Sequence, residues 1–195
     1  MLLDVLRDGL TEANHSHRFN GTLDDPLTAA QVAELERTDF DASGYDPVFC
    51  SPLLRAEQTA RCLGVSTWRP EPRLAERNLG VFEGLTAHEC RRRYPEDFAA
   101  FEVFDAKFRI PGGESRAEHV ARVRDWLRDA RRFERVLAVT HGGTVDFLYR
   151  MGTGQPMHGG SGIFGSDNAA LSTFEVSGAA VKLLAFNQRL ASAVG

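Results

Sequence analysis

The side chains able to do chemistry in this 195-residue chain fall at the ends of apolar runs. "VLRDG" places Arg7, Asp8 and Gly9 after one such run, "DPVFCSPLLRA" places Ser51 and Arg55 after another, and "RVLAVTHGG" places His141, Gly142 and Gly143 after a third. Glu76 stands in "LAERNLG", ahead of a glycine turn. Arginine binds phosphate through a planar fork, glycine lets a ligand approach the backbone, and helix N-termini favour anions. Gathered at one place, these residues predict a site for an anion, most simply a phosphate ester. Taken singly, each has a plainer reading: Arg-Asp-Gly as turn chemistry, His141 as a buried hydrogen-bonded ring, Glu76 as surface charge. The anion reading therefore requires a fold that brings the three strand ends to one edge.

The rest of the pattern predicts such a fold. Strand-like runs alternate with helical periodicity, the signature of an α/β domain with a largely parallel sheet, and ligands of open α/β sheets bind beyond the carboxyl ends of the strands. Strands are expected at 2–6, 46–50 and, in "RVLAVTHGG", 135–143, with two more in "ALSTFEV" and "AVKLLAF" joined by a tight turn at Ser177-Gly178. Thr28 is placed to cap a helix in "TAAQVAELERT", and Ser51 to cap one in "SPLLRAEQTARCLG", with Gly64 as its stop. "TAHE" at 86–89 and "SRAE" at 115–118 fit the capping box, the second helix running to about Phe133, and a further helix begins near Thr144.

Length and composition bound the rest. The chain is 43% hydrophobic and 26% charged, which suits one globular domain spanning 1–195. A net charge of −4 with intermixed signs leaves no basic face for nucleic acid or an anionic membrane. Cys50, Cys62 and Cys90 lack C-x-x-C spacing and read as buried thiols in a reducing, cytoplasmic setting. The N-terminus has no signal-peptide pattern, and no run is long enough to span a bilayer. His15 and His17 lie close together but without partners for a metal site, so no metal or cofactor is predicted.

The blocks "LRDGLTEAN", "FNGTLDDPLT", "SPLLRAEQTA", "LAERNLGVFEG", "GGES" and "VLAVTHGG" resemble, in order, the motifs of the histidine phosphatase superfamily. The resemblance implies a phosphoglycerate-mutase-like three-layer sandwich, a mostly parallel central sheet with helices on both faces, and a metal-independent phosphomonoester hydrolase acting on a small phosphorylated metabolite. It further implies that Arg7 and Arg55 hold the phosphate, that His141 is the second histidine, and that Glu76 protonates the leaving oxygen. Gly9, Asn14, Gly142 and Asn168 match positions bordering the phosphate. The interval from Glu83 to Gly112 is too short for the mutases' long insertion, which favours the compact branch resembling α-ribazole and broad-specificity phosphatases. A homodimer is one open assembly.

The departure from the family is Asp8, which stands where the resemblance calls for the nucleophilic histidine. Aspartate is ionised at neutral pH, with a reference pKa of about 3.9. Two unit charges about 4 Å apart repel by roughly 4 kcal/mol at an effective dielectric near 20. Three readings follow: a phosphatase impaired by the substitution, an aspartyl-phosphate former, or a phosphate-ligand binder or diverged enzyme using Asp8 as a general base. Two features of the 83–112 interval bear on the substrate. Phe98, Phe101, Phe104 and Phe108 recur at roughly helical spacing as a core stripe, with an apolar lid as the alternative. Arg91, Arg92 and Arg93 read as a solvated face, one of which would favour a second anionic group if it reached the pocket.

Overall fold

The computed structural model describes residues 1–157 and 165–191. In chain order its elements are β1 (Leu2–Arg7), α1 (Glu12–His15), α2 (Ala29–Leu35), β2 (Val48–Cys50), α3 (Leu54–Cys62), β3 (Arg69–Pro70), α4 (Ala87–Arg93), α5 (Pro95–Glu102), α6 (Arg116–Ala130), β4 (Arg135–Thr140), α7 (Gly142–Thr153), β5 (Ala170–Ser177) and β6 (Ala180–Arg189). The six strands form one sheet in the order β3-β2-β4-β1-β5-β6. The β3, β2, β4 and β1 neighbours are parallel, whereas β5 runs antiparallel to both β1 and β6.

The central strands are apolar on both sides because both faces are covered. Side chains alternate across a strand, so Val136 and Ala138 of β4 join one core with Trp126 of α6 and Leu148 of α7. Leu137 and Val139 point the other way and meet Leu35 of α2 and Ala56 and Ala60 of α3. A smaller cluster of Phe82, Cys90, Phe98 and Ile110 packs beneath α4 and α5.

Register delivers the polar groups. Arg7 pairs with Thr140 and Cys50 with Val139, so Asp8, Ser51 and His141 leave the sheet side by side at its carboxyl edge. The Asp8 amide donates to the Thr140 carbonyl (2.8 Å), which ties the loop after β1 to the end of β4.

Several local expectations match the elements. Thr28 caps α2, and the Thr86/Glu89 and Ser115/Glu118 capping boxes open α4 and α6. Others need correction. Ser51 is not the cap of α3; Leu53 occupies that position without a side-chain bond, because the Ser51 hydroxyl is engaged with His141. The α6 helix ends at Ala130 rather than near Phe133, whose ring folds back onto the core. The α7 helix starts at Gly142, two residues earlier than expected. Cys50 and Cys90 are buried but Cys62 is partly exposed. Neither α1 nor β3 was expected: the α1 capping box uses Asn14 instead of Glu or Gln, and β3 is a two-residue edge strand. No helix among the described residues is long and apolar enough to cross a membrane.

Candidate active site

The carboxyl edge of the sheet opens into a cavity of about 230 Å³. Of the residues singled out from the sequence, Arg7, Asp8, Asn14, Arg55, Glu76, His141 and Gly142 line it. Gly9 and Asn168 do not. The Gly9 amide donates to Thr59 Oγ1 (2.9 Å), and Asn168 Nδ2 donates to the Asp8 carbonyl (3.0 Å), so both hold the β1 loop from behind.

Asp8 is buried, and its surroundings are specific. Oδ2 accepts from Arg55 Nε (2.8 Å), and Oδ1 lies 3.4 Å from His141 Nδ1. The other two nitrogens of Arg55 donate to the carbonyls of Leu23 (2.7 Å) and Gly21 (2.8 Å). Gly21 sits at φ +51, and its carbonyl reaches Arg55 from that left-handed turn. Every nitrogen of the Arg55 guanidinium therefore has a partner within the protein. Burial alone would raise the Asp8 pKa; His141, Arg55 and Arg7 reverse this and hold it at about 2.

His141 precedes α7 and is 1% exposed. Its Nε2 meets Ser51 Oγ at 2.7 Å. The chain Asp8–His141–Ser51 has the order of an acid, an imidazole and a hydroxyl, but Ser51 is fully buried behind the cavity wall. Its role in this geometry is to fix the His141 ring, not to attack.

Glu76 approaches from the opposite loop. Oε2 accepts from the Gly143 amide (3.0 Å) and Oε1 from the Arg77 amide (2.7 Å). A Cβ at position 143 would lie 2.4 Å from Glu76 Oε1, so only glycine allows this contact. Burial raises the Glu76 pKa, but His119, His141 and the two amides outweigh it and keep the carboxyl below its ordinary range. Glu76 is an anion at neutral pH. Beside it, His119 Nε2 lies 3.3 Å from Thr144 Oγ1, and burial lowers this imidazole to about 4, so it is neutral.

Four buried polar atoms of the lining have no hydrogen-bond partner among the described residues: Arg7 Nε, His141 Nδ1, Asn20 Oδ1 and Ser166 Oγ. Unsatisfied buried donors are costly and mark positions shaped for a ligand. Arg7 Nη1 donates to the Ser166 carbonyl, which aims the guanidinium along the lining. Around the whole cavity six arginines face three carboxylates, those of Asp8, Glu76 and Asp146. No cluster of three metal-ligating side chains occurs among the described residues.

Sequence reasoning did not single out Arg77, Arg116, His119 or Ser166. His119 had a signal, since it falls on the apolar face of α6 with Val123, Trp126 and Leu127. The Phe98–Phe108 stripe divides: Phe98 and Phe104 are buried, whereas Phe101 lines the cavity. Arg91, Arg92 and Arg93 are exposed and stay outside it.

Comparison with known proteins identifies the family and the fold. The family model described as histidine phosphatase superfamily, branch 1, matches residues 3–189. The chain is 32% identical over 164 residues to 2,3-bisphosphoglycerate-dependent phosphoglycerate mutase of Methylobacterium sp. strain 4-46, covering 75% of this chain and 78% of that protein. Among solved structures, phosphoglycerate mutase from Thermus thermophilus superposes with a TM-score of 0.73 at 30% identity, covering 98% of this chain and 99% of that one. The α-ribazole phosphatase from Shigella flexneri shares the fold, with a TM-score of 0.82 at 23% identity over 97% of this chain and 98% of the other. A mixed α/β sheet with polar loops gathered at its carboxyl edge, and a family match over nearly the whole described chain, lead to one conclusion: the protein belongs to the histidine phosphatase superfamily.

Proposed function

We propose that residues 1–195 form one phosphomonoester-binding domain of the histidine phosphatase type, in which Asp8 suppresses hydrolysis. The observation that carries this reading is the buried pair of Asp8 and Arg55, with the remaining nitrogens of Arg55 taken by Leu23 and Gly21. A carboxylate held at about 2 is a weak base and a weak nucleophile. It also carries negative charge to the place where a phosphate would arrive, and it commits Arg55 to an internal anion. These facts weigh against Asp8 as a general base for other chemistry.

Binding uses the groups left over. Arg7 Nε supplies an unsatisfied donor, His141 Nδ1 faces Asp8 Oδ1 at 3.4 Å, and the α7 N-terminus adds its dipole. With histidine at position 8, the imidazole would attack phosphorus in line, forming an N–P bond as the ester P–O bond breaks. Arg7, Arg55 and His141 would stabilise the equatorial oxygens. The departing alkoxide needs a proton. Glu76 would hold one only beside a bound dianion, whose charge raises the carboxyl's proton affinity. Water would then cleave the N–P bond and regenerate the imidazole.

The test is hydrolysis of p-nitrophenyl phosphate from pH 4 to 8 by this chain and by Asp8→His. The expected result is turnover at least about a hundredfold faster in the histidine form, with acid-labile phosphoenzyme. Equal rates in the two proteins overturn the reading. So does turnover by the unaltered chain with an acyl-phosphate trapped by hydroxylamine, which would make Asp8 the phosphoryl acceptor.

A further inference from the structure

The loop that carries Glu76 is held by side chains from two other elements. It contains one 3₁₀ turn, Pro72–Leu74, whose Leu74 is fully buried in the core. Each backbone carbonyl from Arg73 to Glu76 accepts from a side chain. Arg122, in the second turn of α6, donates through Nη1 to the carbonyls of Arg73 (2.7 Å) and Ala75 (2.7 Å), and through Nη2 to that of Glu76 (3.0 Å). The Leu74 carbonyl accepts instead from Thr140 Oγ1 (2.7 Å), at the end of β4. Arg122 is itself fixed, because its Nε and Nη2 also donate to Glu114 Oε1 (2.8 Å) and Oε2 (2.9 Å).

Buried carbonyls need partners, but these partners also set a distance. Thr140 immediately precedes His141 and pairs with Arg7 in the sheet, so its hydroxyl ties the Glu76 loop to the two strand ends that carry the phosphate-binding groups. Of the two amides that hold the Glu76 carboxylate, that of Arg77 belongs to the same loop and moves with it. The Gly143 amide is then a single pivot, about which the carboxyl could swing. A general acid must lie within about 3 Å of the oxygen it protonates, and a misplacement of about 1 Å costs on the order of a hundredfold in rate. The fixed backbone of the loop supplies what one pivot does not.

We propose that Arg122 and Thr140 are positioning residues for the leaving-group proton: they hold the Glu76 peptide at one distance from the phosphate seat of Arg7 and His141, so that the carboxyl proton passes to the departing oxygen as the P–O bond breaks. The inference rests on the hydrolytic reading above, in the form with histidine at position 8. Neither Arg122 nor Thr140 lines the cavity, so each acts on the ligand only through Glu76.

The test compares kcat/KM for p-nitrophenyl phosphate, whose leaving group departs as a stable anion, with that for benzyl phosphate, whose alkoxide must be protonated, in the Asp8→His background. Arg122→Met removes the bonds to Arg73, Ala75 and Glu76, and Thr140→Val removes the bond to Leu74 at nearly constant shape. In each, kcat/KM for benzyl phosphate should fall about tenfold or more while that for p-nitrophenyl phosphate stays within about twofold. The ratio separates placement from folding, since a smaller folded fraction lowers both values alike, and Thr140→Val carries the test if Arg122→Met does not fold. Glu76→Gln is the reference for a lost proton donor. A selective loss in Glu76→Gln, with an equal loss on both substrates or none in either folded variant, overturns the positioning role and leaves the hydrolytic reading standing. An unselective Glu76→Gln overturns the positioning role together with Glu76 as proton donor, and absence of turnover in Asp8→His overturns it together with the hydrolytic reading.

Discussion

The two ends of the cavity solve the same electrostatic problem in opposite ways. At the β1 loop, Asp8 is an anion supplied by the chain itself, and each nitrogen of Arg55 already bonds Asp8 or a backbone carbonyl. At the α6–α7 end, Arg116 and Arg150 share Asp146, and Arg77 lines the same cavity beside Glu76. A ligand's negative charge meets an occupied position at the first end and an excess of positive charge at the second. One residue can therefore suppress a reaction while much of the surrounding cavity still favours an anion.

The contrast is broken most sharply by Arg55→Met. Removing one partner of a buried pair leaves Asp8 uncompensated and should cost about 3–5 kcal/mol, read by urea denaturation. A pH titration of stability then separates the contributions by window. His119 titrates near 4 in the fold but near 6.5 when unfolded, so the unfolded chain binds the proton first as pH falls. Its contribution is present above pH 6.5 and disappears between about 6.5 and 4, a loss of about 3 kcal/mol that His119→Gln should abolish.

Asp8 acts in the next window. Its folded pKa of about 2 lies below the ordinary 3.8, so its stabilisation is full above pH 4 and is lost between about 4 and 2. The expected loss is about 2 kcal/mol, and Asp8→Asn should flatten that part of the curve. The smallest effect belongs to the rim, where Arg18 pairs with Glu89 and its side chain is 39% exposed. Arg18→Gln should change stability by less than about 1 kcal/mol. A larger loss there would mean that the rim is part of the same charge network.

Legibility in the sequence followed distance along the chain. Thr28, Thr86 with Glu89, and Ser115 with Glu118 announce helix starts because a cap bonds an amide three residues away. Ser51 misled for the complementary reason: its hydroxyl bonds His141, ninety residues on, and is not available as a helix cap. The Phe98–Phe108 stripe was half legible, since α5 ends at Glu102 and its pattern could not tell that Phe101 faces the cavity while Phe98 faces the core. Arg77 and Arg116 carried no signal of their own; only the approach of the Glu76 loop to the start of α6 and the side of α7 places them on one wall.

What the sequence determined by itself is the α/β alternation, the capped helices, the polar strand ends and the presence of a carboxylate at position 8. These depend on period, propensity and neighbours within a turn. The tertiary structure decided that Asp8 is ion-paired, that Arg55 has no nitrogen left over, that Glu76 is held ionised by two amides, and that a second cluster of arginines faces the same space. Those outcomes depend on burial and on charges brought together from distant segments. A side chain's pKa and its remaining hydrogen-bond capacity are properties of its surroundings, which no local stretch of sequence contains.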